Sequence, residues 1–206
     1  MNKDTHVYKI GNNLYLNLTN RCTNRCTFCV RDQSAEYEGY SLWLKEGEPS
    51  AQEVWEEICA ARAANGQAFD EVVFCGYGEP TFRLQAMLEL CKKIHAAGLK
   101  TRLNTNGHGN FINGRNIAPD LFGNLDGINI SLNAPNEADY NAVCRPQRNR
   151  AFEGVLAFAK DCKAAGLNAW FSVVDCIGEE AVAGCRAIAE GVGIPLRVRE
   201  MIHNEQ

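Results

Sequence analysis

Three cysteines lie within eight residues of one another, at Cys22, Cys26 and Cys29 in the stretch NRCTNRCTFCV. Thiols this close can form a disulfide, bind zinc or bind an iron–sulfur cluster. A structural zinc site takes four ligands, usually as two close pairs, and no further CxxC or His-x3–5-His pair follows in the sequence. A disulfide among the three would leave one thiol unpaired.

A 4Fe–4S cluster is the third alternative. It takes four ligands, normally cysteine thiolates, and a tight turn with three of them reaches three corners of the cube. The fourth iron then stays open, and an open position on a metal is where a substrate or cofactor binds. The other seven cysteines have unrelated spacings, and we expect them to be small buried hydrophobic residues. They are Cys59, Cys75, Cys91, Cys144, Cys162, Cys176 and Cys185.

Length and composition favour one ordinary globular domain over residues 1–206, large enough to bury its own core. The start MNKDTHVYKI lacks a signal-peptide core and no apolar run reaches membrane-spanning length, so we expect a cytoplasmic protein with free thiols and no membrane partner. The net charge of -4 includes no basic run, and nucleic acid is therefore not an evident partner.

Strands and helices alternate along the chain, which predicts βα units around a parallel sheet. Short apolar or alternating segments predict six strands, at 13–18, 71–76, 99–104, 127–132, 168–174 and 196–200. Amphipathic segments with caps predict helices at about 50–65, 84–97, 150–165 and 179–190. Residues 36–49 match neither pattern. Six units are fewer than the eight of a closed barrel, and an open doubly wound sheet remains an alternative to a partial barrel.

In either architecture the loops after the strands meet at one rim, where sites are built. The cysteine cluster follows the first predicted strand. Gly76-Tyr77-Gly78-Glu79-Pro80 follows the second, Asn104-Thr105-Asn106-Gly107 the third, and Ser131-Leu132-Asn133-Ala134-Pro135 the fourth. Because strand side chains alternate, Ser131 and Asn133 are expected on one side of the sheet, and so are Asn104 and Asn106.

These motifs together resemble the radical S-adenosylmethionine (SAM) enzymes. The chain has CX3CX2C after the first strand with an aromatic residue, Phe28, before the last cysteine, and a GGEP-like element after the second strand. The departure is Tyr77, inserted between the two glycines. The resemblance covers nearly the whole chain and implies a partial (β/α)6 barrel of the radical SAM type. The stretch GNNLYLNLTNRCTNRCTFCVR with GYGEPT is most similar to the short TatD-associated radical SAM proteins.

The resemblance implies that Cys22, Cys26 and Cys29 bind a 4Fe–4S cluster, whose open iron is chelated by SAM. One electron from the cluster cleaves SAM to methionine and a 5'-deoxyadenosyl radical, which abstracts hydrogen from the substrate. Glu79 either contacts SAM or supports the turn, and Phe28 either packs near the adenine or keeps water from the cluster. The SAM-binding residues implied are Phe28, Gly76, Tyr77, Gly78, Glu79, Asn104, Asn106, Ser131, Asn133, Ser172 and Arg199.

The partners implied are an electron donor such as flavodoxin or ferredoxin and a substrate that is a small molecule or a protein. The sequence leaves that substrate open, because fold and cofactor do not specify it. Alternatives within the superfamily are an activity like that of glycyl-radical activases or 7-carboxy-7-deazaguanine synthases. The alternative of another class is an electron-transfer protein whose cluster has four protein ligands, with Cys75 as the strongest candidate for the fourth.

Overall fold

A seven-stranded sheet organises the protein, whose computed structural model describes residues 4–34, 36–66 and 68–201. The strands are β1 (Val7–Ile10), β2 (Asn13–Leu16), β3 (Glu36–Tyr37), β4 (Tyr40–Ser41), β5 (Glu71–Phe74), β6 (Lys100–Thr105), β7 (Gly127–Ser131), β8 (Ala169–Val174) and β9 (Leu196–Arg199). The sheet order is β1-β2-β5-β6-β7-β8-β9, and β3 and β4 form a separate hairpin. Strand β1 is antiparallel to β2, and the following five pairs are parallel.

The order of the parallel strands decides between the two architectures predicted from the sequence. The six predicted strands correspond to β2, β5, β6, β7, β8 and β9, and they lie side by side in chain order. A doubly wound sheet reverses its strand order at a switch point, and no reversal occurs here. The arrangement is therefore that of a partial barrel, with β1 and β9 at the two edges of the sheet.

Helices follow the parallel strands. They are α1 (Val30–Gln33), α2 (Ala51–Ala64), α3 (Leu84–Ala96), α4 (Gly109–Asn113), α5 (Ala118–Leu121), α6 (Glu137–Cys144), α7 (Ala151–Ala164) and α8 (Glu179–Val192), with 3-10 turns at Pro80–Arg83 and Asp175–Ile177. The four predicted helices correspond to α2, α3, α7 and α8. Helix α2 begins with the capping box expected at Ser50 and Glu53. In the described part of the chain, no helix is long and apolar enough to cross a membrane.

The two faces of the sheet differ in polarity. Leu103 and Ile128 are neighbours in register, point towards the helices and are fully buried in the core. The next pair along the same strands, Asn104 and Asn129, points to the opposite, concave face. Polar side chains thus line the inside of the sheet, and the apolar core lies between the sheet and its helices.

The sheet is strongly curved. Strands β5 and β9 are four positions apart, which is about 19 Å on a flat sheet at the usual strand spacing. Yet Arg199, at the end of β9, interacts electrostatically with Cys75, which follows β5. The concave face therefore encloses a lumen with Arg199 on one side and Cys75 on the other.

Two elements near the N-terminus, strand β1 and the hairpin of β3 and β4, were not predicted from the sequence. Strand β1 pairs with β2 through a two-residue loop whose first residue, Gly11, has φ +57, a conformation that favours glycine in tight hairpins. The hairpin of β3 and β4 occupies part of the unassigned segment 36–49. Its strands are only two residues long, too short for an alternation pattern to be read from the sequence.

Candidate active site

A cavity of about 230 Å³ opens at the carboxyl ends of the parallel strands. Twelve of the fourteen site residues predicted from the sequence line it. They are Cys22, Cys26, Phe28, Cys29, Gly76, Tyr77, Gly78, Glu79, Asn104, Asn106, Ser131 and Arg199. The structure thus brings together the ends of β2, β5, β6, β7 and β9 at one rim, as expected for a parallel sheet of this type.

The remaining two predicted residues, Asn133 and Ser172, do not line this cavity. Strand β7 ends at Ser131, and Asn133 has a left-handed backbone conformation with φ +60, so the expected alternation of the two side chains does not continue. The amide of Asn133 instead donates a hydrogen bond to the sulfur of Cys144, at 3.6 Å. Ser172 lies beside Ser131 in register but is fully buried.

The cysteine loop is held by backbone hydrogen bonds to the end of α6. Arg25 N–H donates to the carbonyl of Cys144 and Thr27 N–H to that of Val143, both at 2.9 Å. Within the loop, Cys29 N–H donates to the carbonyl of Cys26 at 3.1 Å. These bonds fix the path of the chain between the first and third cysteines, because backbone pairing leaves few alternative conformations.

The three thiols are partly buried and free. Burial raises the pKa of Cys22 to about 11 and also raises the pKa of Cys29. A hydrogen bond with Cys144 and burial raise the pKa of Cys26. The thiols are therefore protonated at neutral pH in the metal-free protein, and metal binding must release their protons.

Arg31, two residues after the last cysteine, places a positive charge beside all three thiols and favours their ionised forms. Its guanidinium donates hydrogen bonds to the carbonyls of Asn20 and Asn24, each at 3.3 Å, and to that of Tyr77 at 3.4 Å. Arg31 thus connects the cysteine loop to the glycine turn. Arg31 was not predicted as a site residue from the sequence, although a cation directly after a cluster of thiols is a readable signal.

The two glycines of the turn allow close backbone approach. A Cβ at Gly78 would lie 2.2 Å from the carbonyl oxygen of Thr19 and 2.7 Å from that of Arg21. A Cβ at Gly76 would lie 2.2 Å from Asn17 Oδ1. Glu79 N–H also donates to the Arg21 carbonyl at 2.7 Å. The turn is therefore packed directly on the segment that leads into Cys22.

Glu79 is 3% exposed and connects this turn to the end of β6. Its Oε1 accepts hydrogen bonds from the Thr81 backbone N–H at 3.2 Å and from the hydroxyls of Thr81 and Thr105 at 2.8 Å. Its Oε2 accepts from Asn106 N–H at 2.7 Å. Burial raises the pKa of Glu79 and these hydrogen bonds oppose the shift. The contacts fit the expectation that Glu79 supports the turn.

A buried polar network lies behind the cysteine loop. Asn106 Nδ2 donates to the hydroxyl of Thr23 at 2.8 Å, and that hydroxyl contacts His108 Nδ1 at 2.8 Å. His108 Nε2 lies 3.2 Å from both the Ala151 carbonyl and the Tyr140 hydroxyl. Burial lowers the pKa of His108 to about 4, so the ring is neutral at pH 7. Because a carbonyl only accepts, Nε2 carries the proton and the Thr23 hydroxyl donates to Nδ1.

The floor of the lumen is formed by an ion pair. Arg102 donates to Glu71 through Nε at 2.9 Å and Nη2 at 2.6 Å, and through Nη1 to Asn104 Oδ1 at 2.7 Å. The side chain of Asn104 in turn hydrogen-bonds to the sulfur of Cys75. Asn129 also lines the cavity and was missed, although counting back two residues from Ser131 would have placed it on the same face.

Comparison with known proteins identifies the family. The profile of the Radical SAM superfamily matches residues 16–179, which is most of the chain. The protein therefore belongs to the radical SAM superfamily. Comparison with curated protein sequences gives no match.

Solved structures share the fold at low sequence identity. TYW1 with a lysine-pyruvate adduct bound has a TM-score of 0.64 and 17% identity over 95% of this chain and 66% of that one. Streptococcus suis SuiB bound to precursor peptide SuiA has a TM-score of 0.67 and 18% identity, over 95% and 40%. Native anSMEcpe with bound AdoMet has a TM-score of 0.60 and 19% identity, over 91% and 50%. This chain thus spans between 40% and 66% of the length of these three structures.

The residues of the site suit the cofactors that the superfamily uses, a 4Fe–4S cluster and SAM. Three thiols from one short loop line the same cavity, in keeping with the cluster's preference for thiolate ligands. The glycine turn lines the same cavity, which continues along polar residues of β6 and β7. Among the described residues, no group of three or more His, Cys, Asp and Glu side chains is arranged to hold a single metal ion.

Proposed function

We propose that this protein is a radical SAM enzyme whose single core domain, residues 1–206, generates a radical at the cysteine loop and applies it to a substrate in the lumen. The observation that supports this most directly is that Cys22, Cys26 and Cys29 share one cavity with the turn of Gly76 to Glu79. When bound, the 4Fe–4S cluster and SAM supply a 5'-deoxyadenosyl radical that abstracts a hydrogen atom.

The residues around the cavity have separable roles in this proposal. Cys22, Cys26 and Cys29 hold the cluster. The turn of Gly76, Tyr77, Gly78 and Glu79 offers backbone carbonyls to the ammonium group of SAM, since glycines leave them accessible. Asn104, Asn106 and Ser131 supply polar partners for the rest of SAM, and Phe28 excludes water from the cluster. We do not extend a SAM-binding role to Asn133 or Ser172, because neither lines the cavity.

We further infer that the protein belongs to the branch of short TatD-associated radical SAM proteins, on the strength of GNNLYLNLTNRCTNRCTFCVR and GYGEPT. Its partners in this proposal are a flavodoxin or ferredoxin as electron donor and a substrate of small-molecule or peptide class. Its compartment is the cytoplasm, in keeping with ten free thiols.

Anaerobic reconstitution tests the proposed function. We expect about four iron and four sulfide per chain and, under dithionite with SAM, release of 5'-deoxyadenosine measured by liquid chromatography. Cys26→Ala should lose both. Cys59→Ala, which removes an exposed thiol from α2, is the matched control and should retain both. A Cys26→Ala protein that still forms 5'-deoxyadenosine would contradict the proposal.

Two further thiols near the loop give the electron-transfer alternative a structural basis. Cys75 lines the same cavity, and Cys144 is hydrogen-bonded to Cys26. Either could serve as the fourth protein ligand of a cluster that performs no SAM chemistry. The two functions differ in the iron content of Cys75→Ser and Cys144→Ser. Our proposal expects both variants to keep about four iron, and SAM to change the electron paramagnetic resonance (EPR) spectrum of the reduced cluster.

A further inference from the structure

Arg199, at the end of strand β9, is a cation without an anionic partner among the described residues. It ends the edge strand β9 and lines the cavity together with Asn129. Its electrostatic neighbours are Cys75 and Arg102, which lie on the opposite side of the lumen, so its guanidinium reaches inward. Within residues 4–34, 36–66 and 68–201, Arg199 forms no ion pair, and this includes the adjacent Glu200, which lines the same cavity.

The other two arginines on this face are already satisfied. Arg102 forms the bidentate ion pair with Glu71. Arg197 stacks on the ring of Trp170, with its guanidinium carbon 4.1 Å from the ring centroid. Arg199 is exposed where it lines the cavity, and the like charge of Arg102 lies near it. Its guanidinium is therefore accessible to an anion, which would also offset the repulsion from Arg102.

Asn129 provides a second polar group for such an anion. It is 5% exposed and lines the cavity. Its Oδ1, which has no hydrogen-bond partner among the described residues, is an acceptor and would not itself bind an anion. Its Nδ2 likewise makes no hydrogen bond to the described part of the chain, so the amide is free to donate. An amide donor and a guanidinium that line the same cavity suit the oxygen atoms of a carboxylate or a phosphate.

We propose that Arg199 and Asn129 bind a carboxylate or phosphate group of the substrate, so that the substrate of this enzyme is anionic. This inference rests on the proposed function. SAM also has a carboxylate, which is a second source of the same chemistry. We assign Arg199 to the substrate because it ends the edge strand β9, whereas the methionine end of SAM is assigned to the turn that follows β5, four strands away in the sheet.

Calorimetry on the anaerobically reconstituted protein tests this assignment. The probes are inorganic phosphate, pyrophosphate and succinate, each titrated with and without saturating SAM. We expect at least one probe to bind saturably to the wild type in the presence of SAM. In Arg199→Met its affinity should fall by about tenfold or more, which is the contribution of one charged hydrogen-bonding group. Arg199→Lys should keep part of the affinity, because it retains the charge and loses the planar fork.

The matched control is Arg197→Met, which removes a guanidinium from the same strand that is stacked on Trp170. It should bind the probe with wild-type affinity. SAM affinity in Arg199→Met should stay within about twofold of wild type, well below the tenfold loss that one charged contact represents. A tenfold loss of SAM affinity in Arg199→Met, or competition between the probe and SAM, would assign Arg199 to the SAM carboxylate and overturn the proposal. Absence of saturable binding of every probe to the wild type would overturn it too.

Failure of this inference is distinguishable from failure of the proposed function. Radical chemistry is measured as 5'-deoxyadenosine released by the wild type, which needs no substrate anion. Anion binding is measured as heat and needs no SAM cleavage. A wild type that forms 5'-deoxyadenosine and binds no probe refutes only the anion site, and one that binds the probe through Arg199 without forming 5'-deoxyadenosine refutes only the proposed function.

Discussion

Replacing Gly78 by alanine should damage the site without removing any functional group. The added methyl carbon would lie 2.2 Å from the Thr19 carbonyl oxygen and 2.7 Å from that of Arg21. A carbon and an oxygen usually stay about 3.3 Å apart or more, so one of the two segments must move by about 1 Å. Both neighbours are backbone atoms, and no side-chain rotation relieves the overlap.

The size of the effect follows from these contacts. Overpacking in a closely packed region typically costs about 1 to 3 kcal/mol. The hydrogen bond from Glu79 N–H to the Arg21 carbonyl spans the same contact, and its weakening adds about 1 kcal/mol. The free energy of unfolding should therefore fall by about 2 to 4 kcal/mol. If the turn moves while the cysteine loop stays in place, SAM loses well-placed contacts. A loss of about 1 to 3 kcal/mol of binding free energy lowers SAM affinity by roughly 5- to 150-fold.

Urea unfolding and SAM titration of the reconstituted protein measure both quantities. The matched control is Gly191→Ala in α8, where a Cβ meets no atom within 4 Å. That variant should be more stable than wild type by about 0.5 to 1 kcal/mol, because alanine favours helix, and should bind SAM normally. If Gly78→Ala unfolded and bound SAM like the wild type, the close approach of the turn to the cysteine loop would be refuted.

Three further variants or conditions probe the groups around the cysteine loop. Glu79→Gln should lower the free energy of unfolding by about 1 to 3 kcal/mol and weaken SAM binding. The reason is that an amide N–H₂ replaces one of the two carboxylate oxygens that accept from four donors. Urea unfolding and calorimetric SAM titration that match the wild type would contradict this. Arg31→Met should make the reduction potential of the reconstituted cluster more negative, since removal of a nearby positive charge disfavours the added electron; an unchanged potential in an EPR-monitored titration would argue against the role of Arg31. His108 is buried against Tyr140 and near Arg148, and its pKa is about 4 in the folded protein and about 6.5 in the unfolded protein. The neutral ring therefore makes its full contribution to the free energy of unfolding above pH 6.5. As the pH falls from 6.5 through 4, the free energy of unfolding should decrease by up to about 3 kcal/mol. In His108→Gln this part of the pH dependence should be absent from urea unfolding curves, and a wild-type dependence in that variant would contradict the assignment.

Much of the fold could be predicted because its signals are local. The apolar runs of β5 and β7 and the capping box at Ser50 each lie within a few residues of sequence. Helix α6 was missed because only Tyr140 and Cys144 are buried among its eight residues, too few to give a periodic stripe. Strand β1 was missed because its evidence lies in pairing with β2, although Gly11 marked the turn.

The residues of the site also differ in whether their placement follows from local sequence or from contacts between distant segments. Residues directly after a strand were placed correctly at the cavity because parallel strands end at one rim, which is a property of the topology. Asn133 was misplaced because the alternation rule was extended beyond the end of β7, into a backbone with positive φ. The partners of the cysteine loop, His108 and Cys144, are distant in sequence, and contacts of this kind cannot be read from spacing.

Tyr77, which separates the two glycines of the turn, packs against segment 36–49, the part of the chain that was not assigned from the sequence. Tyr77 is 5% exposed and packs in a small cluster with Leu42, from that segment, and Tyr8. Its hydroxyl donates to the carbonyl of Ser34 at 2.8 Å, at the end of α1. The flanking glycines still make their close approaches to the strand before Cys22.

The same segment is fastened to the residues that lead into the cysteine loop. Asn17 Nδ2 donates to the Leu42 carbonyl at 2.7 Å, and Asn20 both donates to the Leu44 carbonyl at 2.7 Å and accepts from its N–H at 3.1 Å. The inserted tyrosine therefore adds an anchor between turn and segment while each glycine keeps its contact. Because Asn17 also accepts the Tyr77 N–H at 3.3 Å, one asparagine connects segment 36–49, the end of β2 and the turn of Gly76 to Glu79 through two hydrogen bonds.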